Sequence, residues 1–130
     1  MSLLALLLFA VVPFSAWWYA RAHAPQAIWL ATGAAFGMVV SPLSLGLYST
    51  FFLSPLGLPT GMLGLVSTLF HGPSGFHMAR WLGLLPSQDV VSGVGHFYVE
   101  VLNGLFWAVV YGSLGFVIDR VRIAHSRKVA

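Results

Sequence analysis

The sequence predicts an all-α, polytopic transmembrane helical protein, and three observations carry that prediction. Charged residues make up 7% of the 130-residue chain and apolar residues 58%. A water-soluble domain carries about 25% charged residues, so this chain has too little polar surface to solvate one. Long apolar runs occupy residues 3–20, 27–53 and 90–118. A helix needs about 20 mainly apolar residues to cross a hydrocarbon layer about 30 Å thick. Aromatic and basic residues gather at the ends of these runs, as they do at a bilayer interface. Three spans are expected, with four possible. They form a single membrane domain with a re-entrant or interfacial segment at 56–70 and an amphipathic interfacial helix at 76–85.

The first run, residues 3–20, reads as an anchor helix that is not cleaved, because no basic stretch precedes it and no small-residue cleavage site follows. Pro13 is expected to kink it. Trp17, Trp18 and Tyr19 with Arg21 form an aromatic belt and a charged stop. The polar turn that follows, with His23 and Pro25, is short enough to make its flanking helices antiparallel neighbours. The second run starts near Trp29. It carries Gly33, Gly37 and Ser41 at four-residue spacing, a ridge that lets another helix backbone approach. Pro42 frees a carbonyl inside this run, and Ser41 or Ser44 is expected to satisfy it.

Residues 56–70 are apolar but broken by proline and glycine, and the proline-free part is too short to span. His71 opens a turn of composition HGPSG. Residues 76–85 then read as a helix lying in the interface, with Trp81 anchoring and Arg80 snorkelling. Ser87 is a candidate N-cap for the last span, with Asp89 in its first turn. Residues 119–130 form a basic tail that the positive-inside rule places in the cytoplasm, in a membrane of the bacterial inner or plasma type.

The last span carries Glu100, the one acidic residue inside an apolar run. At about 100° per residue, Ser92, His96, Glu100, Asn103 and Trp107 fall on one side. Gly93, Gly104, Ala108, Gly112 and Gly115 lie beside them, and Leu102, Leu105, Phe106, Val109 and Phe116 face away. The small residues Gly104, Ala108 and Gly112 are the natural partner of the ridge on the second run. An ionised carboxylate at mid-membrane is unfavourable by at least about 2 kcal/mol, so Glu100 is expected to be neutral, paired, or beside trapped water. His96 and Asn103, one turn either side, make a local polar cluster with it.

Two roles follow from that cluster. In one, His96, Glu100 and Asn103 form a structural clamp in a small non-enzymatic accessory subunit. That subunit packs against other membrane subunits or against itself. In the other, Glu100 and His96 serve a proton- or ion-conducting subunit, or an anchor that contacts a quinone or haem. His71, His77, Arg80 and Trp81 are then possible ligand contacts at the outer interface. The spacing of the histidines matches no standard metal motif, so no metal is expected. The chain has no cysteine, which removes thiolate ligands and nucleophiles. No catalytic group is assigned. No phosphate-cradling glycine loop and no basic-aromatic surface for nucleic acid is present. Residues 72–75, GPSG, resemble the G-x-S-G nucleophile motif of rhomboid intramembrane proteases. That resemblance covers the tetrapeptide alone and implies Ser74 as nucleophile and His96 as base. Rhomboids have more spans than this chain can supply.

Overall fold

A computed structural model describes residues 3–52, 57–85 and 94–129. Those residues are almost wholly helical and contain no strand. In chain order the helices are α1 (Leu3–His23), α2 (Ile28–Ser49), α3 (Gly57–His71), α4 (Pro73–Trp81) and α5 (Val94–Val129), with a 3-10 turn at Thr50–Phe52 after α2. Two of them are long and apolar enough to cross a membrane: α2, and α5 over Val94–Ser126. Ser87 and Asp89, expected to start the last span, lie outside the described residues, as do Ser92 and Gly93 of its polar side.

The α2–α5 pair is the centre of the fold, and glycine sets its spacing. The two helices run antiparallel. Facing pairs step by four in opposite directions, from Trp29 with Gly115 to Gly33 with Tyr111 and Gly37 with Trp107. A Cβ placed on Gly33, Gly37 or Gly115 would overlap the facing carbonyl. Backbone therefore rests on backbone, closer than side-chain packing allows. Gly104 sits against Met38, where a Cβ would lie 3.0 Å from the carbonyl oxygen. Gly112 is less confined, with a Cβ there falling 3.4 Å from that of Ala34.

Helix α1 packs on α2 and runs through Pro13 without interruption. α2 likewise runs through Pro42. Proline removes the N–H that would bond four residues back, which leaves the Met38 carbonyl. Neither serine expected to satisfy it does so. Ser44 donates to the Val40 carbonyl at 2.6 Å, and Ser41 donates to Glu100. The Met38 carbonyl instead lies over Gly104, where the missing side chain lets α5 approach.

α3 runs back along α2. Gly64 meets the backbone at Leu47 and Tyr48, and Ser67 meets Ser44 deeper in. The expected turn at His71 is a single residue, Gly72: His71 ends α3 and Pro73 begins α4. α4 then packs along α5 from Asn103 towards its start, with Gly75 against Val99 and Asn103. The expected interfacial helix at 76–85 thus begins earlier and stops at Trp81, because Pro73 supplies the first helical position. Leu82 closes it, and Gly83 takes a positive φ of 69°. The expected basic tail is not a separate segment. α5 continues to Val129, and Asp119 is packed inside.

Replacing Gly37 with leucine should destabilise the protein by about 3 kcal/mol or more, because the side chain would have to occupy the Trp107 carbonyl. Gly112→Ala should be neutral or stabilising by up to about 1 kcal/mol. SDS-induced unfolding followed by tryptophan fluorescence would measure both.

Candidate functional site

Every helix leaves its first N–H groups and last carbonyls without partners, and burying them unsatisfied is costly. In this fold side chains of α5 reach across to three such ends. Asn103, 1% exposed, accepts the Gly75 N–H near the start of α4 at 3.1 Å. Trp107 donates its indole N–H to the His71 carbonyl at the end of α3 at 2.9 Å. Asp119, 2% exposed, accepts the Trp29 and Leu30 N–H groups at the start of α2 at 2.9 and 3.0 Å through one oxygen. α2 has Ala27 at its own cap position, with no side-chain cap bond, so Asp119 does that work from another helix. The negative charge also sits at the positive end of the helix dipole. Its second oxygen faces Arg122 at 3.5 Å, and Arg122 also donates to the Pro25 carbonyl.

A second polar chain joins α5, α3 and α2. His71 Nδ1 lies 2.8 Å from the Ser67 carbonyl, which only accepts, so in the neutral ring Nδ1 carries the proton. Nε2 then accepts from the Tyr111 hydroxyl at 2.7 Å. Ser44 spends its proton on Val40, so Ser67 donates to Ser44 across 2.6 Å. His71 Nδ1 also lies 3.1 Å from the Ser67 hydroxyl, so its proton is shared between that oxygen and the Ser67 carbonyl, and all donors point one way, from Tyr111 to the Val40 carbonyl. A carbonyl passes no proton on, so the chain is a tie between helices. Phe70 and Trp107 both pack edge-on against the His71 ring, at 5.0 and 4.5 Å between centroids. Both nitrogens of His71 are committed, which leaves none for a haem iron or an outer ligand.

Glu100 is differently placed. Ser41 donates to its Oε2 at 2.9 Å. Its Oε1 faces His96 Nε2 at 4.0 Å, outside hydrogen-bond range. The Glu100 side chain is 29% exposed and that of His96 61%. Both line a groove of about 430 Å³ between α1, α2 and α5. Asn103 does not join them. It lies about 60° round the helix from Glu100, enough to face α4 while Glu100 faces α2. The expected three-residue cluster is therefore split between two neighbours.

The remaining sequence-selected residues lie apart. His77, Arg80 and Trp81 are exposed on α4, whereas His71 is buried at the end of α3. Among the described residues no three of His, Asp and Glu approach closely enough to hold a metal ion. Ser74 lies in the first turn of α4, and no hydrogen bond joins it to His96. The rhomboid-like tetrapeptide is thus part of a helix start. Gly33, Gly37, Gly104 and Gly112 lie in the α2–α5 contact. Ala108 and Gly112 also line a shallow groove beside it. Ser41 is buried against Glu100.

Asp119 and Tyr111 are the site residues that sequence reasoning missed. The signal for Asp119 was the uncapped start of α2 at Ala27. No family model, curated protein or solved structure matches this chain.

Asp119→Ala should cost about 1–3 kcal/mol, and Asp119→Asn clearly less, since an amide oxygen still accepts from Trp29 and Leu30. Reversible unfolding in detergent would rank the two variants.

Proposed function

We propose that this chain is an integral membrane protein acting as a non-enzymatic accessory or structural subunit. The observation that carries this is its inside-out construction. Among the described residues, the largest fully buried side chains are Asn103, Asp119 and Ser44, while Leu63, Leu69, Val109 and Phe70 are mostly exposed. A soluble fold buries its large apolar groups and solvates its polar ones. Lipid reverses the advantage, because backbone ends must be satisfied inside the protein.

In this reading α1, α2 and α5 span the bilayer, and α3 and α4 form a re-entrant pair that enters and leaves on one side. α3 and α4 hold about 22 and 13 Å of helix by their lengths of 15 and 9 residues, each short of the hydrocarbon thickness. Their meeting point is satisfied by Asn103 and Trp107, which makes non-spanning backbone tolerable at that depth. Arg122 bonds the turn at Pro25, so the α1–α2 turn and the end of α5 share a face. Five of the six Lys and Arg residues lie at that end, Arg80 being the exception. The positive-inside rule makes it cytoplasmic, with the other face outside a bacterial-type inner or plasma membrane.

The partner is a second copy or another membrane subunit. Leu30, Ala34, Ala108, Gly112 and Phe116 line the shallow groove between α2 and α5, about 400 Å³ in volume. Small residues on its floor suit the close approach of another helix.

Single cysteines in this cysteine-free chain give the test. Positions 58 and 84 should label with an impermeant maleimide from one side, and positions 23 and 126 from the other. Labelling of 58 and 84 from opposite faces would overturn the re-entrant topology. Native mass spectrometry from mild detergent should find a stoichiometric complex that Ser113→Phe, on the groove wall, weakens about tenfold or more. A wild-type chain that is always a lone monomer would overturn the subunit role.

A further inference from the structure

We infer that the groove at Glu100 is a binding site for a lipophilic organic cation. This goes beyond the subunit role and does not depend on it. Two independent features meet there. The first is a cavity of about 430 Å³, within the range of small-molecule sites, about 300–1,000 Å³. Its walls are apolar and come from three helices, with Phe9 on α1, Leu45 on α2, and Phe97 and Val101 on α5. The second is a carboxylate set into those walls. Ser41 holds Oε2 and so fixes the group's direction. Among the described residues Oε1 has no hydrogen-bonding neighbour, and the nearest polar group to it is His96 Nε2 at 4.0 Å.

The charge partners elsewhere in the chain sharpen the contrast. The sequence has three acidic residues against six Lys and Arg. Asp119 is matched by Arg122 and by two backbone N–H groups. Among the described residues no arginine or lysine pairs with Glu100, although basic residues outnumber acidic ones. Its one neighbour able to carry positive charge, His96, is largely exposed and stays 4.0 Å away, so a partly sheltered carboxylate in an apolar groove has room to attract a mobile cation at closer range. Phe9 and Phe97 also line the groove, and an aromatic ring met by its face favours positive charge. An organic cation with spread charge fits, because it is weakly hydrated and enters an apolar groove at lower cost than a compact ammonium. An anionic or neutral amphiphile would gain the walls but not the carboxylate.

The full-length protein in an uncharged maltoside detergent would be dialysed to equilibrium against radiolabelled tetraphenylphosphonium. Saturable binding at one site per chain is expected, with triphenylphosphine oxide, an uncharged analogue, competing at least about tenfold less well. Glu100→Gln keeps an acceptor for Ser41 and should weaken binding about tenfold or more, with an unchanged unfolding midpoint. Val101→Trp, which fills the groove without touching a polar contact, should remove binding. The proposal is overturned by absence of saturable binding to the wild type. It is equally overturned by unchanged affinity in Glu100→Gln or by equal competition from the neutral oxide. Should Glu100→Gln fail to fold, Val101→Trp and the charged-against-neutral comparison on the wild type decide the matter.

Discussion

The fold depends on satisfying helix ends from the side. Helices α2, α3 and α4 each present an end to the interior, and in each case a side chain of α5 meets it. Without Asn103, Trp107 and Asp119 those ends would bury unpaired N–H or carbonyl groups, at about 1–3 kcal/mol each. The effect is larger where no water can substitute. The residues stand on one row of α5: Asn103, Trp107, Tyr111, Gly115 and Asp119, each four positions on. Four residues turn the helix by about 400°, so the row drifts by about 40° a step. That drift carries it from α4 past α3 to α2. One row thereby serves three neighbours, and over sixteen residues it covers about 24 Å of depth.

Glycine makes this arrangement possible. Side-chain caps are short, so α5 must lie close to every helix it caps. Gly33, Gly37 and Gly115 remove the Cβ atoms that would hold α2 away, and Gly75 does the same for α4. The close approach has a second result. With backbones in contact there is little space between α2 and α5 for large apolar side chains, and these turn outward. Apart from Trp107, Ile28, Val39 and Val40, the buried side chains of the described residues are small or polar. Packing and polar satisfaction are therefore one constraint seen twice, and neither helix pair can loosen without exposing a capped end.

The helical class and the approximate positions of the apolar runs were legible in the sequence, because apolar run length and the scarcity of charge are properties of composition. The proline and glycine content of residues 56–70 read as a break, yet Gly57–His71 is one uninterrupted helix: Pro59 falls in its first turn, where no N–H partner is lost, and Gly61 and Gly64 serve close packing. What escaped was the direction of individual side chains. Asn103 and Glu100 share a helix side on a wheel, yet 60° separates them, and the nearest neighbour of each decides its partner. His71 read as part of an exposed turn because its neighbours are Gly72 and Pro73. Only tertiary contact with Trp107 and Tyr111 reveals it as buried. Asp119 read as the edge of a basic tail, because a local view sees the arginines beside it and not the bare N-terminus of α2, ninety residues away in the chain.

Glu100 stands outside this scheme, and that separates it from the other interior polar residues. Asn103, Trp107 and Asp119 bond backbone groups that would otherwise be orphaned, so their presence follows from the fold alone. Ser41, the hydroxyl that Glu100 accepts from, needs no such partner. A helix serine can bond its own carbonyl four residues back, as Ser44 does with Val40. Nothing in the backbone therefore requires a carboxylate at position 100. A leucine there would pack against Leu45 and Phe97 at no polar cost, and would be the expected residue in a wall of that composition. A carboxylate that the architecture does not need, held in one orientation and turned towards an apolar groove, is the feature of this protein that structural necessity leaves over.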